Sequence, residues 1–509
     1  MRTVWMQVAE APHVPAIPAS MPSHAVAQNA RRDAGGVGFA TRTLPDGRVL
    51  AVSASGDHTF VTWDELETLR ERPSELAIHR RAELQAKYFL PSLTGTSGTA
   101  RLLKSRQAAR GETVLGGPSL HILVPTLQCA HTCRYCQVSR ALTDVGHTMS
   151  VADLEAACDT VFESSAPALT VEFQGGDPLL RFDLVKHAIE RIAARNATEH
   201  RRIRFVVAST LHQLDAEMCR FFAAHNVYLS TSVDGPAWLH NKNRPLATRD
   251  SYEQTLRGVS LAREMMGESS VSALMTTTKE SLAHPEEIVD EYVRLGFQDI
   301  FLRPLSAYGF AKRNQTRMAY TLTEFAAFRE RALARILHWN KRGVAVREVY
   351  TSILANKILS SFDSGYVDLQ SPTGSGASVL VYNYDGYVYP SDEARMLAET
   401  GVTTLQMGRI GESIERLVQS DVRRSLVRSS TSANFADCNA CTYKSYCAPN
   451  PVDALAQHGR LDVEPQETEH CQRHMALFDD VFMQLADADA ETIDLLHVWA
   501  RSSERQGQS

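Results

Sequence analysis

From residue 120 to about 340, short apolar runs alternate with longer stretches patterned at helical spacing. The runs fall at 121–127, 169–173, 203–208, 227–233, 272–276 and 300–305. Runs of this length between polar segments predict strands. The helix-patterned segments begin at Ser150, with Asp153 three residues on, and then cover 182–195, 213–224, 251–266 and 285–295. A last one follows Thr323 and Glu324. A small polar residue ahead of an apolar stretch, with an acid in the first turn, is a helix start signal. Six such strand–helix repeats predict a parallel sheet with right-handed crossovers. Six units are fewer than the eight of a closed barrel. The expected fold class is therefore α/β, an open, partial (β/α)6 TIM-like barrel, and ligands of such sheets gather at the carboxyl ends of the strands.

The flanks read differently. Segments 38–42 and 48–52 enclose Pro45-Asp46-Gly47, a hairpin signal. Thr62 then opens a helix with early acids, and a second helical stretch runs near 75–88. Residues 36–95 are expected to form a small α+β module behind a flexible N-terminus at 1–35, with a linker at 96–118 leading into a core at 119–345. Beyond 345 the alternation stops. Residues 379–390 predict a hairpin turning at Asp385-Gly386, and 475–504 a helix pair. The boundaries expected are 346–480 for a cysteine-rich extension and 481–509 for a terminal helix and tail.

Composition narrows the function. With 44% hydrophobic and 22% charged residues the chain is ordinary globular protein. A net charge of -6 argues against nucleic acid, which calls for a basic patch. No apolar run approaches the roughly 20 residues that span a bilayer, and no basic-then-apolar signal opens the chain, so a soluble, cytoplasmic protein without a membrane partner is expected. The nine cysteines carry the chemistry. Three lie at 129, 133 and 136, and four at 438, 441, 447 and 471. Cys158 and Cys219 stand alone in helical stretches and read as buried apolar residues. An odd number in clusters points to metal rather than disulfides.

Cys129, Cys133 and Cys136 follow the first core strand at a spacing of three and then two residues. Three thiolates on one loop can hold three irons of a [4Fe–4S] cluster and leave the fourth iron open. A zinc loop with a distant fourth ligand is the competing reading. The run Cys129-Ala130-His131-Thr132-Cys133-Arg134-Tyr135-Cys136 closely resembles the signature of the radical S-adenosylmethionine (SAM) enzymes. That resemblance implies a SAM-binding [4Fe–4S] cluster, SAM as cofactor, and Tyr135 packed near adenine. Gln174-Gly175-Gly176-Asp177-Pro178 resembles the family's glycine-rich turn at the SAM amino group, with Asp177 where glutamate is usual. Glycine there permits close backbone approach. Ser230-Thr231-Ser232-Val233-Asp234-Gly235-Pro236, followed by His240, Asn241 and Arg244, resembles a segment of peptide-modifying members. It implies that Ser232 and Arg244 meet the SAM carboxylate or ribose. Ser209, ending the third strand, is a further polar candidate. A helix cap at Asp234 and a surface arginine are the plain alternatives.

Cys438, Cys441, Cys447 and Cys471 supply four thiolates, enough to close a [4Fe–4S] cluster or a structural zinc site. Behind a radical SAM core they resemble the SPASM extension, whose auxiliary clusters follow the barrel. Two cysteines of that pattern are replaced, by Pro451 and by Ser391 after Gly386. Both belong to the first auxiliary cluster of the family, so the resemblance implies one auxiliary [4Fe–4S] cluster.

The runs 120–127 and Cys136-Gln137-Val138-Ser139-Arg140 resemble most the His-Xaa-Ser system (HxsB-like) maturases. The implied function is a SAM-derived radical modifying a ribosomally made precursor peptide, by crosslink or another C–H functionalisation. The implied partners are that peptide, an electron donor such as flavodoxin or ferredoxin, and a partner maturase. Module 36–95 then reads as a peptide-recognition element or as a cap on the barrel. A formylglycine-type maturase and a non-enzymatic zinc-binding adaptor are the alternatives. Asp385 and Tyr308 are candidate bases, against a turn acid and a core tyrosine.

Overall fold

The computed structural model describes residues 38–90, 101, 104–105, 108, 116–306, 308–309, 318–360 and 364–508. The expected flexible N-terminus at 1–35 and most of the linker at 96–118 lie outside the described residues.

Strands β1 (Phe39–Thr43), β2 (Val49–Ser53) and β3 (His58–Val61) make an antiparallel sheet in that order. The turn at Pro45-Asp46-Gly47 is the expected one, and Gly47 takes a φ of 89°. Helices Trp63–Glu71 and Ile78–Ala86 cover one face; the first is capped by Thr62, whose side chain accepts from the Glu65 amide.

The core strands β4 (Leu120–Thr126), β5 (Ala168–Gly175), β6 (Arg202–Ala208), β7 (Val227–Ser232) and β8 (Val271–Thr276) run parallel in chain order. Their alternation decides what lies on each side. On β5, Leu169, Val171 and Phe173 are buried against Leu154, Val185 and Ile189 of the covering helices. Thr170, Glu172 and Gln174 face the other way and stay partly open. The lumen of this barrel thus takes polar groups from β5, beside apolar Ile122 of β4 and Val206 of β6 on the same face.

The sixth unit departs from expectation. The run at 300–305 divides into β9 (Asp299–Ile300), which pairs with β11 (Arg347–Glu348), and β10 (Leu302–Arg303), which continues the barrel beside β8. Arg303 bonds its amide back to the Phe301 carbonyl, which kinks the chain between the two pieces. The following helix, Leu322–Asn340, already contains Thr323 and Glu324, which were expected to precede it, because Thr321 and Glu324 form a capping box.

The extension hairpin, β12 (Val379–Tyr382) and β13 (Tyr387–Tyr389), turns at Asp385-Gly386 as expected. It also does something its own pattern does not announce. β12 pairs in parallel with β4, from Val379 opposite Leu120 to Tyr382 opposite Leu123, and β13 carries β14 (Gly408–Arg409). An open barrel leaves the outer edge of its first strand unpaired. The wholly buried Val-Leu-Val-Tyr strand covers that edge and makes one sheet of nine strands. No helix among the described residues is long and apolar enough to cross a membrane.

Gly176, just past β5, fixes how the turn meets the loop that follows β4. A Cβ there would stand 2.2 Å from the carbonyl oxygens of both Leu127 and Gln128. Those are backbone atoms and cannot swing aside. Gly176→Ala is expected to destabilise the fold by about 1–3 kcal/mol, read as a lowered melting temperature; an unchanged melt would mean the turn does not bear on that backbone.

Candidate functional site

The loop 127–137 leaves the carboxyl end of β4, and three contacts hold it. From one side the Gly176 and Asp177 amides donate to the Thr126 and Gln128 carbonyls, at 2.9 and 2.7 Å. From another, the Thr132 and Arg134 amides donate to the carbonyls of Pro245 and Asn243. Third, Tyr135 is buried and its hydroxyl donates to both oxygens of Asp234, at 2.9 and 2.8 Å, while accepting from Arg244 Nη1 at 2.8 Å. Asp234 is wholly buried; burial pushes its carboxyl up, and Arg244 opposes this. Burial works against the Arg244 charge too, but Cys133, Tyr135 and Asp234 hold its proton on. Asp234 is therefore more than a helix cap, and Arg244 is not a surface residue.

Within this frame Cys129, Cys133 and Cys136 are free thiols. Burial, then Asp177 and Cys133, raises Cys129; burial, opposed by Arg244, lifts Cys133 to about 11. Buried neutral thiols crowded by neighbouring thiolate charge want a cation to replace their protons. A buried chain of hydrogen bonds backs the loop. His240 accepts from the Asp234 amide, its Nε2 lies 3.1 Å from Ser251 Oγ, and that oxygen lies 3.0 Å from His131 Nε2.

The structure brings Asp177 of the glycine-rich turn and Ser209 together. Asp177 is wholly buried and accepts from Ser209 Oγ at 2.7 Å, from Thr210 Oγ1 and amide, and from the Leu179 amide. It ties the end of β5 to the end of β6. Ser232 ends β7 with its hydroxyl in no hydrogen bond among the described residues. Arg244 Nε is buried and without a partner. Gly175 takes a φ of 136°, and a Cβ there would meet the Thr126 carbonyl at 2.2 Å.

The second group gathers where the short helix Ala436–Ala440 and the turn after it meet helix Glu469–Asp487. Its four cysteines are free and half-buried. Burial, then Cys441 and Cys471, raises Cys438 to about 12; burial, then the other three thiols, raises Cys447. The four are thus mutual neighbours. Ser391 and Pro451 do structural work instead. Ser391 caps helix Asp392–Ala398, accepting from the Ala394 amide, and Pro451 is the first residue of helix Pro451–His458.

The lumen contains groups that the sequence reading passed over. Glu172 and Gln174 enter it from β5, joined by a 2.8 Å bond, and Arg204 stacks on the Tyr228 ring at 4.3 Å. Arg303 of β10 faces Glu172, and it also faces Asp368 and Glu393 of the extension. Burial, then Asp368 and Asp392, lifts the Glu393 carboxyl to about 7. Burial also raises Asp368 and Asp453, both opposed by Arg473. Neither Arg303 nor Arg473 makes a side-chain hydrogen bond or ion pair among the described residues. Of the two candidate bases, Tyr308 is buried here, 3.4 Å from Asp453. Asp385 is an exposed turn acid, bonded to Tyr387 and Tyr389. The alternation Thr170, Glu172, Gln174 within an apolar strand was a legible signal for this lumen.

Comparison with known proteins agrees with the geometry. Residues 123–292 match the radical SAM superfamily. An uncharacterized protein of Synechocystis sp. is 26% identical over 230 residues, 43% of this chain and 56% of that one. Another, of Methanothermobacter thermautotrophicus, is 26% identical over 180 residues, 34% of this chain and 63% of that one. The chain thus matches less than two thirds of the length of either. Among solved structures, native anSMEcpe with bound AdoMet superposes with a TM-score of 0.61 at 16% identity, over 74% of this chain and 99% of that one. Streptococcus suis SuiB bound to precursor peptide SuiA does so with a TM-score of 0.53 at 13% identity, over 83% and 96%. At such identities the likeness is one of fold. The chain carries a radical SAM domain, built on the partial barrel that holds the three-cysteine loop.

Proposed function

We propose that this protein cleaves SAM reductively and uses the resulting 5′-deoxyadenosyl radical to modify a ribosomally made peptide. One observation carries the reading: a loop of three free thiols, pinned on three sides, stands at the carboxyl end of the first strand of an open barrel whose lumen takes polar groups from β5. Among the described residues no three His, Cys, Asp or Glu side chains converge as a single-ion site does.

Cys129, Cys133 and Cys136 would hold the SAM-binding [4Fe–4S] cluster, which when bound supplies the electron that splits SAM. The chain's own residues do the rest. Tyr135, clamped by Asp234 and Arg244, keeps the loop rigid beside the nucleoside site. The free hydroxyl of Ser232 and the unpartnered Nε of Arg244 are the donors left for the methionine carboxylate or the ribose. Gly175 and Gly176 let the turn approach closely; Asp177 and Ser209 support it from behind. Cys438, Cys441, Cys447 and Cys471 would hold one auxiliary [4Fe–4S] cluster, and the structural roles of Ser391 and Pro451 support a total of two. A flavodoxin- or ferredoxin-like protein would be the electron source.

A peptide substrate is supported by the shared fold of two enzymes solved with peptides, SuiB with SuiA and anSMEcpe with Cp18Cys peptide. It is supported also by the lumen, where Arg303, Arg473 and the raised carboxyls would meet polar groups of an inserted side chain. The finer assignment to His-Xaa-Ser maturases rests on Gln137-Val138-Ser139-Arg140.

Anaerobically reconstituted protein, reduced with SAM and the short peptides encoded beside its gene, should contain roughly eight irons per chain. It should release 5′-deoxyadenosine and change the mass of one peptide at a defined residue. Deoxyadenosine release that leaves every such peptide unaltered would contradict the substrate reading.

Glu393 gives a pH prediction. With its carboxyl raised to about 7, the folded state keeps a proton that the unfolded chain gives up. That stabilisation is complete below the ordinary carboxylate range and is lost as pH rises through about 7. Between about pH 5.5 and pH 8, Glu393→Gln should therefore lose less of its urea midpoint than the parent does. Equal losses would contradict the lumen electrostatics.

A further inference from the structure

The N-terminal sheet does not sit on the barrel. It sits on the extension. Leu44, Leu50 and Val52 pack with Tyr350, Phe478 and Phe482, and His58 lies edge-on to Phe482 with ring centroids 5.1 Å apart. The Tyr446 hydroxyl, from the segment between Cys441 and Cys447, donates to the Gly56 carbonyl at 2.7 Å. One polar contact in this interface reaches the second cysteine group. Arg42 of β1 makes a two-pronged bond with Asp479, Nε to Oδ1 and Nη2 to Oδ2, both at 2.6 Å. Its side chain is 19% exposed and that of Asp479 7%. Asp479 also accepts from the Tyr443 hydroxyl, and the Arg42 guanidinium lies 5.6 Å from the Tyr443 ring centroid. The Tyr443 amide in turn donates to Cys441 Sγ at 3.4 Å. Arg42 is the cation within electrostatic reach of Cys441 and Cys471, as Lys444 is for Cys438 and Lys357 for Cys447.

We infer that Arg42 belongs to the auxiliary centre: the N-terminal module supplies, from almost 400 residues away in sequence, a charge that sets how readily that centre takes an electron. This rests on the four cysteines holding an iron–sulfur cluster. Cluster potentials follow local net charge and the groups around the sulfurs, and here both members of the pair are largely screened from water. A cation beside the thiolates favours the reduced, more negative cluster. Asp479 opposes it from the same spot. The module therefore bears on the chemistry of the extension as well as on its packing. Its docking completes the electrostatic surroundings of the second cluster, so that any peptide engaging the module acts on a surface joined to the redox centre.

The pair makes opposite predictions for its two members, which a merely structural role would not. In full-length reconstituted protein, EPR-monitored potentiometry separates the two clusters, because only one signal changes when SAM is added. Arg42→Gln should move the other cluster to lower potential, and Asp479→Asn should move it to higher potential. Arg42→Lys should keep most of the parent value. Arg48→Gln is the control, since Arg48 ties β2 to Asp487 of the same helix with no thiol among its electrostatic neighbours, and it should move nothing. The SAM-sensitive signal should stay put in all four. Iron content separates the two failures. Roughly four irons per chain, with zinc in the second group, would end the iron–sulfur reading and the inference with it. Two clusters whose potentials ignore Arg42→Gln and Asp479→Asn, or move the same way in both, would overturn the inference alone. Should Arg42→Gln lose its second cluster, the upward shift in Asp479→Asn still decides.

Discussion

The structure depends on holding three thiols on one short loop without giving them a fourth protein partner. Burial raises the Cys129 and Cys133 thiols, so each keeps its proton until a cation replaces it. Rigidity comes from neighbours that are themselves buried. Gly176 brings the turn after β5 into backbone contact with the loop's base, which no residue with a Cβ permits. Tyr135 reaches the other way into Asp234 and Arg244 on the segment after β7. On the proposed reading the ligand enters from the lumen side, which these contacts leave to it.

The rest of the barrel is arranged around that entrance. Outward-facing residues of β5 to β8 pack on helices, and inward positions include the polar Glu172, Gln174 and Arg204. The extension then closes the first strand's edge with β12 and lends the lumen Asp368, Glu393, Asp453 and Arg473. The same extension carries the second cysteine group and receives the N-terminal sheet. Three regions separate in sequence are thus joined through the extension.

Much of this was legible in the chain, because the signals were local. Apolar runs of strand length, capped helices and the Asp-Gly hairpin needed no distant information, and the loop of Cys129, Cys133 and Cys136 carried the resemblance to the superfamily that residues 123–292 match. What stayed hidden depends on contacts across the sequence. Asp177, which stands where the resemblance puts a SAM contact, also joins Ser209 and Thr210, a pairing visible only once β5 and β6 are adjacent. Asp234 looked like a helix cap because its partner Tyr135 lies 99 residues earlier. The sixth strand broke in two because β9 found β11 instead. The parallel pairing of β12 with β4 leaves no periodic mark distinct from that of a plain hairpin.

The account comes down to whether the loop at 129–136 is where SAM is split. The direct measurement is 5′-deoxyadenosine release by the variant with Cys129, Cys133 and Cys136 all replaced by alanine, reduced without air beside the parent. The variant is expected to release none above background while keeping the iron of its second cluster. Release at the parent's rate would contradict the account.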